Sequence, residues 1–164
     1  MIAAPDVGWV DAPLRHFVED ARVIYALLLH PTGQVLGQFG FTRRVDIMGA
    51  SALAAAIHAT SAELGKELDG APFRGLHFAG ASREVFMAEV SPPGASYLFL
   101  TVFDVTTSLG LVQLYFRRLA AAIVAARPAS RAPLSDVQLE QDLTDHLSLV
   151  LGRAPASRPP YPSS

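Results

Sequence analysis

Apolar residues recur three or four positions apart in three segments of the chain, which is the spacing of an amphipathic helix. They predict helices over 12–20, over 46–66 and over 109–126. Asp11 is a candidate cap for the first helix, and Asp46 suits the N-cap of the second.

The second predicted helix is unusually rich in small side chains. Leu53, Ile57, Leu64 and Leu68 recur at helical spacing, and most of the other positions are glycine, alanine or serine. Apolar or small side chains therefore lie on more than one face of this helix. We expect it to be buried on two sides, against a sheet and against a second body.

Runs rich in β-branched, aromatic and leucine side chains predict five strands, over 23–29, 34–39, 76–80, 85–90 and 97–103. His30-Pro31-Thr32-Gly33 separates the first two runs. It predicts a hairpin, because proline suits a type I turn and glycine suits the left-handed position that closes it. The last three runs predict an antiparallel meander.

A further amphipathic segment follows the third helix. Ser135 and Gln138 form a capping box, and leucines four positions apart predict a helix over 135–151. This helix either folds back on its own domain or docks on a partner. We predict the following organisation: an N-terminal segment 1–11, one domain 12–127, a linker and C-terminal amphipathic helix 128–152, and a disordered Pro/Ser-rich tail 153–164.

Composition and charge exclude several classes of protein. The 13 basic and 15 acidic residues give a net charge of -2 without a broad basic field, so we expect no nucleic-acid partner. The chain has no cysteine, which excludes disulfides and thiol catalysis. Its uninterrupted apolar runs are far shorter than the ~20 residues of a spanning helix, so we expect no membrane insertion. The acidic N-terminal stretch does not resemble a signal peptide, and we expect a cytoplasmic protein.

The sequence lacks motifs that carry catalysis or hold cofactors. The five histidines never fall into a metal-ligand spacing, and Gly65-Lys66 is followed by Glu67 where a phosphate loop needs serine or threonine. Glu84 and Glu89 lie on one predicted strand at an odd separation, which places them on opposite faces. We therefore expect no catalytic residue, no metal and no cofactor, and predict that the protein is not an enzyme.

One motif and the order of the elements point to a known family. Thr107-Ser108-Leu109-Gly110-Leu111-Val112 resembles the junction that opens the last domain helix in bacterial MglB-like members of the roadblock / dynein light chain family. The resemblance covers about residues 12–126, and five single positions also match it: Gly33, Asp46, Phe73, Gly80 and Asp104. Gln113 and Glu63 depart from the family pattern.

The resemblance implies a roadblock-like α+β domain with a five-stranded antiparallel sheet. A long helix lies between strands 2 and 3, a helix follows strand 5, and this chain adds its C-terminal helix. The resemblance also implies a homodimer whose sheets join edge to edge and whose long helices lie side by side, which would cover an exposed sheet edge. In MglB-like proteins the paired helices form a platform for a small Ras-like GTPase, and the dimer stimulates hydrolysis by arranging the GTPase's own residues.

The predicted partner-binding residues lie on the long helix and just before it. Those on the helix are mostly small, so that a partner backbone can approach closely: Ala52, Ala55, Ala56, Ala59, Glu63 and Lys66. Arg43 and Arg44 are either solvated loop charges or contacts to a nucleotide phosphate or an acidic surface. The leading hypothesis is a cytoplasmic homodimeric regulator of a small Ras-like GTPase, acting in bacterial polarity or motility.

Two alternatives belong to other classes of protein. The first is a dimeric scaffold or adaptor whose partner binding does not depend on nucleotide, with the 135–151 helix as a docking peptide or a self-inhibitory cover. The second is a small-molecule sensor with a pocket between sheet and helix. Partner binding measured with a GTP analogue and with GDP distinguishes the regulator from the scaffold.

Overall fold

The computed structural model describes residues 7–41, 43, 45–128 and 147. The chain divides into two units, residues 1–128 and residues 129–164, and the helices and strands named below lie in the first. The predicted helix over 135–151, apart from Leu147, and the predicted tail over 153–164 lie outside the described residues, as does Arg44.

Three α-helices and five strands follow one another in the predicted order within the described residues. They are α1 (Asp11–Ala21), β1 (Tyr25–Leu29), β2 (Val35–Gly40), α2 (Ile47–Asp69), β3 (Gly75–Ala79), β4 (Glu84–Val90), β5 (Tyr97–Phe103) and α3 (Leu109–Ala126). The predicted α+β fold is confirmed, with its long helix between strands 2 and 3 and a helix after strand 5.

Local chemistry determines where α2 begins and ends. The Asp46 carboxylate accepts a hydrogen bond from the backbone N–H of Gly49 at 3.0 Å, as expected of an N-cap. The helix runs three residues beyond the predicted end at Lys66. It stops at Gly70, whose φ of 73° is a left-handed conformation that glycine adopts without strain.

The two shorter helices begin in different ways. The Ser108 hydroxyl caps α3 by accepting a hydrogen bond from the backbone N–H of Leu111 at 3.3 Å. The prediction that Asp11 caps α1 is wrong, because Asp11 is the first residue of that helix. A 3-10 turn over Gly8–Val10 leads directly into α1, and its N-cap Val10 makes no side-chain capping bond.

The five strands form one antiparallel sheet in the order β2-β1-β5-β4-β3. Strands β2 and β3 are therefore the two edges, and α2 connects one edge to the other. In the centre of the sheet, Leu100 lies opposite Leu27 on one side and Met87 on the other. This row of large apolar side chains crosses three strands on one face.

Alternate residues of the central strands build two hydrophobic cores. One core packs against α1 and α3 and includes Leu28, Phe86, Phe99 and Phe103. The Phe17 ring of α1 meets the Phe99 ring edge-on, with centroids 4.9 Å apart. The other core packs around Ala54 of α2 and includes Leu27, Leu29, Met87, Leu98 and Leu100. The domain therefore has three layers, two helices, a sheet and one helix, stabilised by burial of apolar surface on both faces.

Two helices among the described residues are long and apolar enough to span a membrane by length and composition, Ile47–Asp69 and Leu109–Ala126. Their uninterrupted apolar runs are short, but many alanines and few charged residues raise the mean hydropathy over each whole helix. Length and composition alone are weak evidence for a membrane span, and 17% of the apolar window of each helix is buried inside the domain. The absence of membrane insertion stays a prediction.

Candidate partner-binding surface

Most of α2 is open to solvent on the outer side of the domain. Among its 23 residues, only Ser51, Ala54 and Gly65 are buried. Small side chains therefore face the sheet, and they allow the helix backbone to lie close to a sheet surface already filled by leucine and methionine. The remaining surface of the helix is available for other contacts.

The predicted alanine positions lie mainly on one exposed face of α2. Ala52, Ala56, Ala59, Glu63 and Lys66 are exposed and recur at i, i+4, i+7, i+11 and i+14, which is a single helix face. Ala55 is half-buried, because the β1–β2 hairpin lies beside it: a Cβ placed on Gly33 would be 3.6 Å from the Ala55 Cβ. We call the five exposed residues the alanine stripe.

Two opposite charges end the alanine stripe. The Lys66 ammonium donates a hydrogen bond to the Glu63 carboxylate at 2.7 Å, and the two side chains are 52% and 72% exposed. An exposed ion pair of this kind contributes little to stability, with a median near 0–1 kcal/mol. Breaking the Glu63–Lys66 ion pair therefore costs little free energy, and each side chain can then pair with a charged group of a partner.

A second exposed stripe consists of the large apolar residues of the helix. Leu53, Ile57, Leu64 and Leu68 are 66%, 39%, 51% and 72% exposed. At 3.6 residues per turn this leucine stripe lies roughly a third of a turn away from the alanine stripe. The sequence showed these residues at helical spacing but not that they point away from the sheet. Exposed apolar rows of this length mark interaction surfaces.

The edge strand β3 is exposed along most of its length, and its outer edge pairs with no strand among the described residues. Phe78 is 44% exposed and lies opposite Val85, which packs in the core beneath α2. Phe78 therefore lies on the α2 side of the sheet. A second strand added at β3 would find unpaired backbone groups and an apolar side chain together.

Arg43 is not brought onto the alanine stripe, and Arg44 lies outside the described residues. Arg43 is exposed in the turn before α2 and forms no ion pair in the part of the chain that the structure describes. Lys66 lies in the last turn of the helix, roughly 30 Å along its axis from the N-cap Asp46. Arg43 and Lys66 therefore belong to opposite ends of this surface.

Two acidic residues on β4 face opposite sides of the sheet, as predicted from their spacing. Glu84 lies 2.6 Å from the Nε2 of His77, whose ring stacks on Phe103 in the core beneath α1 and α3. Glu89 points the other way and lies 3.8 Å from Nε2 of His58 on α2. The two carboxylates are therefore not placed to act as an acid and a base on one substrate.

Glu89 also anchors the turn between β4 and β5. Its carboxylate accepts hydrogen bonds from the hydroxyls of Ser91 at 2.5 Å and Ser96 at 2.7 Å, and these bonds lower the pKa of Glu89 below its ordinary value. These two bonds join the two ends of the β4–β5 turn, and the same carboxylate lies near His58 of α2. The described residues contain no group of three or more His, Cys, Asp or Glu placed to hold a metal ion.

The fold is shared with known proteins. No protein-family model matches the chain, and no curated protein matches its sequence. Among solved structures, Myxococcus xanthus MglB is 21% identical, with a TM-score of 0.69 over 80% of this chain and 99% of the other. The gliding protein MglB from Thermus thermophilus is 26% identical, with a TM-score of 0.65 over 77% and 93% of the two chains.

A more distant structure has the same fold. A roadblock/LC7 domain from Streptomyces avermitilis is 17% identical, with a TM-score of 0.59 over 69% of this chain and 92% of the other. The element order is the one that the sequence predicted, and Ser108 of the 107–112 junction caps α3. Both observations agree with the fold of the solved structures. The chain has a roadblock fold, and its resemblance to the MglB-like members of the roadblock family is confirmed.

Proposed function

We propose that the protein is a homodimeric regulator of a small Ras-like GTPase, acting as a GTPase-activating or co-regulatory protein. The proposal rests on the observation that α2 exposes two different stripes of residues to solvent. The leucine stripe is assigned to a second copy of the chain and the alanine stripe to the GTPase. The MglB and roadblock structures with this fold support a regulatory or adaptor role for the chain.

The leucine stripe supports the dimer. If the α2 helices of two copies pack side by side, this stripe is covered in both copies. Full burial of one such side chain stabilises by about 1.5–3 kcal/mol, and a two-fold axis doubles the number of buried side chains. Edge-to-edge pairing of β3 in the same dimer would satisfy its free backbone groups and cover Phe78.

The alanine stripe supports the contact with the GTPase. Because it lies about a third of a turn from the leucine stripe, a second α2 helix packed on the leucines leaves the alanines free. Small side chains let a partner backbone approach closely, and Glu63 and Lys66 supply one charge of each sign at the end of the stripe. In this proposal the catalytic groups belong to the GTPase, and this chain positions them.

A competing mechanism is that Arg43 or Arg44 enters the nucleotide site of the GTPase and contacts the phosphate directly. Such an arginine contributes roughly 10³–10⁵ in rate, so Arg43→Ala and Arg44→Ala would nearly abolish stimulated hydrolysis. Stimulation that survives both substitutions leaves positioning by α2 as the mechanism.

The test measures complex formation by light scattering that reports absolute mass. The purified chain is mixed with a small Ras-like GTPase from the same organism, loaded with a GTP analogue or with GDP. We expect a dimer that captures the GTPase only in the triphosphate state. Ala59→Arg should keep the dimer but lose the complex, because it places a bulky charge in a close contact.

The matched control is Ala12→Arg, which makes the same change at an exposed alanine of α1, on the opposite face of the sheet. It should bind the GTPase as the unmodified chain does. Full binding by Ala59→Arg would remove the alanine stripe as the contact. A dimer that ignores the nucleotide state, or the GTPase altogether, would contradict the regulator and favour the dimeric scaffold.

A further inference from the structure

The outer edge of β2 is the second open edge of the sheet. Within the described residues it pairs with no strand, because β2 ends the strand order and β1 lies on its inner side. Gln38, Gly40 and Phe41 are exposed, and Phe41 keeps 64% of its surface open to solvent. An open depression of about 450 Å³ is lined by residues 38–41, so a further strand has access to this edge.

The pairing of β2 with β1 determines which backbone groups face outward. The backbone N–H of Phe41 donates a hydrogen bond to the Ile24 carbonyl at 2.9 Å. In an antiparallel ladder, the residues that bond to the neighbouring strand alternate with residues that do not. The register between β1 and β2 is irregular only near the start of β2. Phe39 therefore also bonds to β1, whereas the backbone N–H and C=O groups of Gln38 and Gly40 point away from the sheet.

The regular part of β2 lacks the features that protect an edge strand from pairing. Natural edge strands are blocked by charged side chains, by proline or by a bulge. This strand contains no charged residue and no proline, and its irregular register is confined to its first residues. The edge is therefore open to pairing with another strand.

The residues of this edge complement a second copy of themselves. With a two-fold axis at Phe39, antiparallel pairing places Gln38 opposite Gly40 of the other copy, and these residues exchange hydrogen bonds in both directions. The two Phe39 side chains then form an aromatic cross-strand pair, which is favourable. The exposed Phe41 lies opposite Gly37, so it meets no second bulky side chain. Because the strand is uncharged, the two copies do not repel each other.

We propose that β2 pairs antiparallel with β2 of a second copy of the chain. The inference goes beyond the proposed function and does not depend on it, because β2 and β3 are opposite edges of the sheet. A copy that uses α2 and β3 in the proposed dimer keeps its β2 edge free, so that dimers can associate further. Standard interfaces use about 20–30 residues a side and this edge offers about five, so the pairing is weak and adds mass only in concentrated solution.

The test is light scattering of the full chain from about 10 µM to about 1 mM, the range in which a weak association appears. For a Kd of about 1 mM, half of the molecules pair at the highest concentration, and the average mass rises about 1.5-fold. Gln38→Lys and Gln38→Glu should each abolish this rise, because each variant places like charges across the two-fold axis. An equimolar mixture of the two variants should restore it, because opposite charges then face each other.

The matched control is Gln113→Lys, which makes the same change at an exposed glutamine of α3. It should show the same rise in mass as the unmodified chain. A mass that does not rise, a rise that survives in both Gln38 variants, or a mixture that stays at the lower mass would overturn the proposal. Loss of the rise in Gln113→Lys as well would show a general effect of charge and would also overturn it.

The Leu64→Asp variant separates this inference from the proposed dimer. In dilute solution, the mass of the unmodified chain and of this variant reports the α2 interface alone. At high concentration, Leu64→Asp should still show the rise and should lose it when Gln38→Lys is added. A failure of the α2 dimer therefore lowers the mass in dilute solution, whereas a failure of β2 pairing removes only the rise.

Discussion

Replacing Gly65 by alanine tests the close approach that joins the end of α2 to the loop before β3. A Cβ on Gly65 would lie 2.5 Å from the backbone nitrogen of Phe73 and 2.7 Å from the backbone oxygen of Ala71. Because both are backbone atoms, the loop must move to make room. Gly110→Ala is the matched control, since a Cβ on this glycine of α3 meets nothing within 4 Å.

The magnitude follows from two opposing effects. Alanine stabilises a helix by roughly 0.5–1 kcal/mol relative to glycine, and both variants receive this gain. Overpacking a tight site costs about 1–3 kcal/mol, and only Gly65→Ala suffers it. The propensity gain cancels when the two variants are compared, so Gly65→Ala should be about 1–3 kcal/mol less stable than Gly110→Ala.

The assay is urea unfolding followed by circular dichroism, with all proteins at one concentration because the proposed dimer would make the stability depend on concentration. The free energies of unfolding of the two variants are compared with each other and with the unmodified chain. A Gly65→Ala variant as stable as Gly110→Ala, or more stable, would refute the close packing of α2 against the loop.

Two further predictions concern the dimer and the turn after β4. Leu64→Asp should convert the proposed dimer to monomers, as measured by light scattering, because it places a charge in the leucine stripe. Val105→Asp, at a residue that is 95% exposed, should not change the mass. A dimeric Leu64→Asp variant would contradict the proposed interface. Hydrogen bonds lower the pKa of Glu89, so its stabilising contribution is present at neutral pH and lost as the carboxylate protonates in acid. Ser96→Ala removes one of these hydrogen bonds. It should lower the urea midpoint of unfolding at a pH of about 7 but hardly change it at a pH of about 3. An equal decrease at both pH values would show that ionisation of Glu89 is not involved.

The candidate surface was predictable in part. Helical spacing correctly placed Ala52, Ala56 and Ala59 together on one exposed face, because the period of a helix is a local property. The same spacing did not reveal that the leucine stripe points outward. A helix normally turns its largest apolar residues to the core, and here Ser51 and Ala54 take that place.

Local sequence patterns predicted the three described α-helices and five strands, their order and several of their ends. Asp46 caps α2, and a continuous apolar run forms the fully buried β1, because hydrogen bonds to nearby backbone and side-chain periodicity act over a few residues. Which strands are edges and which face of α2 meets the sheet became clear only from the folded domain. These depend on contacts between distant residues, such as the 2.8 Å hydrogen bond that Thr101 on β5 donates to the Tyr25 carbonyl on β1, 76 positions away. Local patterns carry no information about such pairings.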